Sequence, residues 1–193
     1  MFNLSWLTCA LAFIALPAAA APLNLLSQAD LEADLAQVRA ANYPELSGFK
    51  IHLEGFESDH DFFKSSTQVF TVSEKPRDRI YLVLFNNQVL RDPPTREAIR
   101  AILAHELKHI VDYTHMTTWE TAEFAVQYGL FPVAHYERAT DLHALELGYA
   151  EGLKQYREWL YARVDSKTLA LKKTNYYTPE QIDRWTETGQ TSP

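Results

Sequence analysis

The chain has 193 residues, 47% of them hydrophobic and 22% charged, the make-up of a globular protein with enough apolar material for one core. Its formal charge of -7 leaves no basic stripe able to follow a phosphate backbone, and no run of like charges forms a tail. Nucleic acid is therefore not an expected partner.

The opening stretch MFNLSWLTCALAFIALPAAAAPL carries an apolar core from Leu4 to Leu16, then Pro17 and a run of alanines with the small-x-small pattern that signal peptidase accepts. Cleavage is expected after Ala20, so residues 1–20 read as a signal peptide and 21–193 as one secreted or periplasmic domain. No Lys or Arg precedes the apolar core. The competing reading is an uncleaved membrane anchor, against which the run is shorter than the roughly 20 residues a span needs. Membrane contact is expected only through this leader. Cys9, the sole cysteine, follows Thr8 rather than the small residue of a lipidation site, and cleavage removes it. The mature fold then has no disulfide to rest on.

Along the chain, SQADLEADLAQVRAAN has Ser27 as N-cap, Asp30 in the first turn, and Leu31, Leu35 and Val38 on one face, which predicts a helix. FKIHLEGF after Gly48 alternates Phe49, Ile51 and Leu53 against Lys50, His52 and Glu54, the period of a half-buried strand. QVFTV (68–72) and RIYLVLFNN (79–87) predict two more strands around the polar turn SEKPRD, and together a small antiparallel sheet. From Pro94 the period changes: Ile99, Ile102, Leu103 and Ile110 recur at helical spacing, with Asp92–Pro93 as the expected start. TTWE (117–120) has the form of a capping box and opens a helix to about Leu130, broken by Phe131 and Pro132. One further helix is expected over 133–164, and TPEQ (178–181) caps a last short one. Helix, strands, then helices is an α+β order.

The stretch AHELKHIVDYTH lies within the helix that follows the strands. His105 and His109 are four residues apart, so a helix projects both rings from one face toward a single ion, with Glu106 beside them. This HExxH pattern arises by accident in roughly one chain of this composition in fifty, so chance is a weak explanation. Two solvated histidines on an amphipathic helix would be the bland alternative, but the apolar neighbours imply burial, where unpaired polar groups are costly.

A catalytic zinc site keeps three protein ligands and one open position. His115 would complete HExxHxxDxxH, the spacing of the metzincin peptidases. There, however, a glycine makes the sharp turn where this chain has Asp112, and the methionine turn has no counterpart, since only Met1 and Met116 exist. Glu137 is the second candidate, in ERATD, with Asp141 four residues on and so on the same helical face. HExxH on one helix and ExxxD on a later one resembles the gluzincins, which include thermolysin, the CAAX prenyl proteases and the minigluzincins. That resemblance covers two short motifs in the second half of the chain. It implies a zincin-like fold with a small antiparallel sheet, an active-site helix and a helical C-terminal half. It also implies His105, His109 and Glu137 as ligands of Zn2+, and Asp141 as the residue orienting a ligand imidazole. Ala144, Gly148 and Gly152 continue the face of Glu137 and Asp141, a stripe of small residues that would let the two helices approach closely.

The function so expected is zinc-dependent peptide-bond hydrolysis on a peptide or protein substrate, with Glu106 as general base and the substrate extended along an edge strand, IYLVLFNN by position. The competing classes are a non-catalytic zinc-binding or partner-binding envelope protein, and a metal-free helical interaction protein. His135, His143, Asp59, His60 and Asp61 read as surface residues. Tyr128, Tyr149, Tyr176 and Tyr177 receive no role, and whether residues 27–41 form an inhibitory pro-segment stays open.

Overall fold

The computed structural model describes residues 25–130 and 133–189. The expected signal peptide with Cys9, and the Phe131–Pro132 break, lie outside them. Helix α1 (Gln28–Asn42) starts as its sequence requires: Ser27 and Asp30 form a reciprocal capping box. Leu31, Leu35 and Val38 are buried on one side. Asp34 is buried among them because Arg96 and Arg100 meet its carboxylate at 2.8 and 3.0 Å. The Tyr43 hydroxyl donates to the Ala104 carbonyl at 2.7 Å. These bonds build α1 into the core, and none of its residues lines the cleft described below.

Strands β1 (Lys50–Phe56), β2 (Phe63–Thr67) and β3 (Ile80–Asn86) form a sheet in the order β1-β3-β2. The sheet is mixed, not antiparallel as expected: β1 runs parallel to β3, and β2 antiparallel to it. β3 is the most apolar strand and takes the central place, where a partner on either side satisfies its backbone and Tyr81, Val83 and Phe85 are buried. It is therefore not an edge strand; β1 and β2 are, and of these β2 lines the cleft described below. QVFTV does not form a strand either: Val69–Thr71 is a 3-10 turn with Val69 and Phe70 exposed, and FKSST pairs instead. FKSST has little apolar alternation, so its strand state comes from pairing with β3 and packing on a helix, not from propensity.

A short helix α2 (Gln88–Arg91) precedes α3 (Arg96–Thr114), the central element. Thr95 caps α3, while Asp92 closes α2 and pairs with Arg163, so the helix begins a turn later than Asp92–Pro93 suggests. Thr117 and Glu120 cap α4 (Thr118–Leu130) reciprocally, as predicted. The single helix expected over 133–164 is two, α5 (Ala134–Glu146) and α6 (Ala150–Tyr161). Gly148 takes a φ of 90°, with its N–H on Leu145 O and that of Tyr149 on Ala144 O, the paired bonds of a Schellman stop. Helix α7 (Ser166–Asn175), capped by Asp165, was not anticipated, and α8 (Pro179–Thr188) opens with the Thr178–Gln181 box.

The sheet packs on α3, and α6 packs on α3 at close range. A Cβ at Gly152 would stand 2.5 Å from the Glu97 carbonyl oxygen and 2.9 Å from Ala101 Cβ. Of the small-residue stripe, Gly152 therefore serves the close approach, while Gly148 ends a helix. Gly152→Ala gains about 1 kcal/mol of helix propensity, but overlap with backbone on α3 costs more. A net loss of about 1–2 kcal/mol is expected, seen in thermal unfolding as a melting temperature lower by roughly 4 °C.

Candidate metal centre

On α3, the residues at positions 105, 106 and 109 are buried although polar, with exposures of 2%, 4% and 5%. Helix α5 crosses opposite and presents Glu137, itself 1% exposed. Three atoms meet. His105 Nε2 stands 3.1 Å from His109 Nε2 and 3.2 Å from Glu137 Oε2, and His109 Nε2 stands 3.3 Å from the same oxygen. Ligand atoms at about 2.0–2.1 Å from a tetrahedral ion are separated by about 3.3 Å, so this triangle has the edges that three ligands of one metal ion require.

Asp141 organises the triangle from behind. Its Oδ1 lies 2.9 Å from His105 Nδ1 and accepts from Arg157 Nη2 at 2.7 Å, while its Oδ2 accepts from the Tyr177 N–H at 2.9 Å. With the Nδ1 proton held there, the lone pair of His105 Nε2 points toward Glu137 and His109. Arg157 is buried and lies with its guanidinium carbon 4.4 Å from the centre of the Tyr176 ring. The His109 ring sits between aromatic neighbours, 4.9 Å from Tyr136 and 6.3 Å from Tyr113 between centroids.

The electrostatics ask for a cation. Burial works against a proton on His105, yet its hydrogen bonds to Asp141 and Glu137 prevail and raise its pKa to about 10. Burial would raise Glu137 too, but the two imidazoles hold it well below the ordinary carboxylate range. Asp141 is likewise kept low against its burial, first by Arg157 and then by His105. Glu106 differs: burial dominates and pushes its pKa up. Three buried carboxylates, Glu106, Glu137 and Asp141, thus share one buried guanidinium, Arg157. With both imidazoles neutral and Glu106 ionised, the excess of negative charge would match one divalent ion; without an ion, the raised pKa of His105 and of Glu106 favours protons there instead.

The triangle lies at the floor of a cleft of about 880 Å3. β2 forms one wall, with five consecutive residues, 63–67, along it, so the backbone edge of the strand faces the opening. The 3-10 turn and α4 close one end, and α7 the other.

Of the residues singled out in the sequence, His105, Glu106, His109, Glu137 and Asp141 come together here. His115 does not. α3 runs on through Asp112 without a turn, and His115 is its exposed C-cap. Six residues beyond His109, it is rotated by about 240° on the helix and faces away from the ion. His60 and Asp61 line the cleft, and Tyr176 does so as well, while Tyr149 bonds to Asn42 elsewhere. The Tyr128 side chain lies outside the described part of the structure. Arg157 was not foreseen, although its place among Leu153, Tyr156 and Leu160 on the buried side of α6 marks it as an arginine that must have an anionic partner.

No protein-family model, no curated protein and no solved structure matches the chain. Its chemistry is read from the site itself. Glu137→Ala should abolish tight binding of a divalent ion, and His115→Ala should leave it unchanged. Asp141→Asn, which frees the His105 ring but keeps its ligand atoms, should weaken binding by about 10–100-fold. Competition against a metal chelator measures all three, and an effect of His115→Ala equal to that of Glu137→Ala would overturn the assignment.

Proposed function

We propose that this protein is a zinc-dependent peptidase of the gluzincin kind, secreted or held in the cell envelope, which hydrolyses peptide bonds of peptide or protein substrates. The observation that carries this reading is the His105–His109–Glu137 triangle, with a buried glutamate next to it on the floor of an open cleft. Two imidazoles and one carboxylate are a donor set that suits zinc and leaves a position for water. His105, His109 and Glu137 would hold the ion, which when bound would lower the pKa of a water to about 7 and polarise a substrate carbonyl.

The chain's own groups supply the rest. Glu106 takes a proton from the attacking water and passes it to the leaving amine, and its burial, which raises its pKa, favours proton uptake. Asp141 keeps the His105 ring oriented throughout. β2 gives the substrate its alignment. Gln68 N–H bonds to Ile80 O, and Asn86 N–H to Phe62 O, each at 2.8 Å. In an antiparallel ladder such bonded positions alternate, so Phe62, Lys64, Ser66 and Gln68 face β3. The backbone groups of Phe63, Ser65 and Thr67 face the open edge, where an extended peptide can pair with them.

Purified wild-type protein is expected to carry about one zinc per chain and to digest a broad peptide library. Glu106→Gln should keep the metal and lose at least about 100-fold in hydrolysis, whereas His105→Ala should lose the metal. A Gln variant as active as the parent, or a zinc-loaded parent that cleaves nothing, would defeat this function.

A further inference from the structure

The two ends of the cleft differ in chemistry. Ser65, at the middle of β2, lines the cleft together with Glu106 and the three candidate ligands, and so serves to divide it into two ends. Past the Thr67 end, the 3-10 turn sets Val69 and Val72 along the cleft. Thr118 of α4 donates to Val72 O at 3.0 Å, and Ala122, a turn further along α4, lines the cleft too, while Phe124 packs on Tyr113 and Tyr136 nearer His109. Arg79, only 1% exposed, fastens these pieces, donating to Glu74 O at 2.9 Å, Met116 O at 2.7 Å and Thr118 Oγ1 at 3.3 Å. A buried arginine spent on joining two loops is an anchor for a built surface. On the same bonded segments, Val69, Phe70 and Trp119 are 77%, 91% and 77% exposed, a grouping of large apolar side chains that marks a contact region.

The Phe63 end carries charged side chains, though not these alone: Leu171 of α7, 55% exposed, lines the cleft as well. Lys172 of α7 donates to Asp61 Oδ1 at 2.8 Å, Thr168 Oγ1 lies 3.3 Å from His60 Nδ1, and Lys64 and Lys167 also line the cleft there.

The free edge of β2 gives these two ends a direction. Antiparallel addition is the more stable pairing per residue, and a peptide antiparallel to β2 runs from the Thr67 end to the Phe63 end. Its N-terminal half then lies against Val69, Val72 and Ala122, and its C-terminal half against α7. Resting on the peptidase reading above, we infer that the cleft selects extended peptides carrying bulky apolar side chains on the N-terminal side of the scissile bond and polar ones after it.

Two labelled, end-blocked peptides of equal composition test this on zinc-loaded Glu106→Gln protein: one with Leu-Phe-Leu before Ala-Asn-Ser-Asn, the other with the two halves exchanged. Fluorescence anisotropy should show the first binding about tenfold more tightly, the effect of burying roughly one large apolar side chain. Ala122→Asp, at an exposed position on α4, should erase that difference. Library digestion by the wild type should enrich Leu, Ile, Phe and Met before the cut. Equal affinities, or a preference for the exchanged peptide, would overturn the inference whether or not hydrolysis occurs. The expected binding preference with no cleavage by the wild type would instead leave the selection standing and remove the peptidase reading.

Discussion

A single buried carboxylate, that of Asp141, holds the site together. It joins four parts of the chain: its own helix α5, His105 on α3, Arg157 on α6, and the backbone of Tyr177 just before α8. A lone carboxylate at such depth would cost several kcal/mol. Here each of its oxygens has a donor, and two of the three partners are ionic or ionisable. The close approach of Asp141 Oδ1 to His105 Nδ1, 2.9 Å, constrains the orientation of that ring through protein groups alone.

That arrangement constrains the packing around α3. One side of the helix is apolar and meets the sheet and α1 through residues such as Ile99, Leu103 and Ile110. Another side carries Ala98 and Ala101, small enough for α6 to lie close, with Gly152 at the tightest point. The remaining side carries His105, Glu106 and His109 toward α5 and the cleft. The order of side chains along one helix thus sets which neighbour touches each face. α6 must come close for Arg157 to reach Asp141, and α5 must come close for Glu137 to reach both rings. The small residues on α3 and the polar contacts across it are parts of one solution.

The cleft follows from the sheet order. Because β3 occupies the centre, β2 is left with an unpaired side, and β2 lines the same cleft as His105, Glu106, His109 and Glu137. A polypeptide edge with unpaired N–H and C=O groups is costly to leave idle and apt to bind another strand. Under the proposed peptidase function, its position in the same cleft as the His105–His109–Glu137 cluster would join a means of holding a peptide to a means of polarising it.

Much of this was legible in the residues. Caps at Ser27, Thr117 and Thr178, the alternation in FKIHLEGF, the apolar run in RIYLVLFNN and the helical period through Ile99 to Ile110 depend on neighbours a few positions away, and local sterics and hydrogen bonds decide such features. The i, i+4 pairs His105–His109 and Glu137–Asp141 are equally local, so the face each pair occupies was determined by the sequence alone. What lay beyond it were the choices made across long separations. Whether Glu137 or His115 faced the histidines, whether FKSST or QVFTV paired with β3, and whether β3 stood at the centre or the edge all depend on contacts between segments far apart in the chain. Arg157 finding Asp141 is of the same kind. These were settled only by tertiary packing, because burial of charge and pairing of strand edges are satisfied by whichever distant partner the folded chain brings near, and no local pattern specifies that partner.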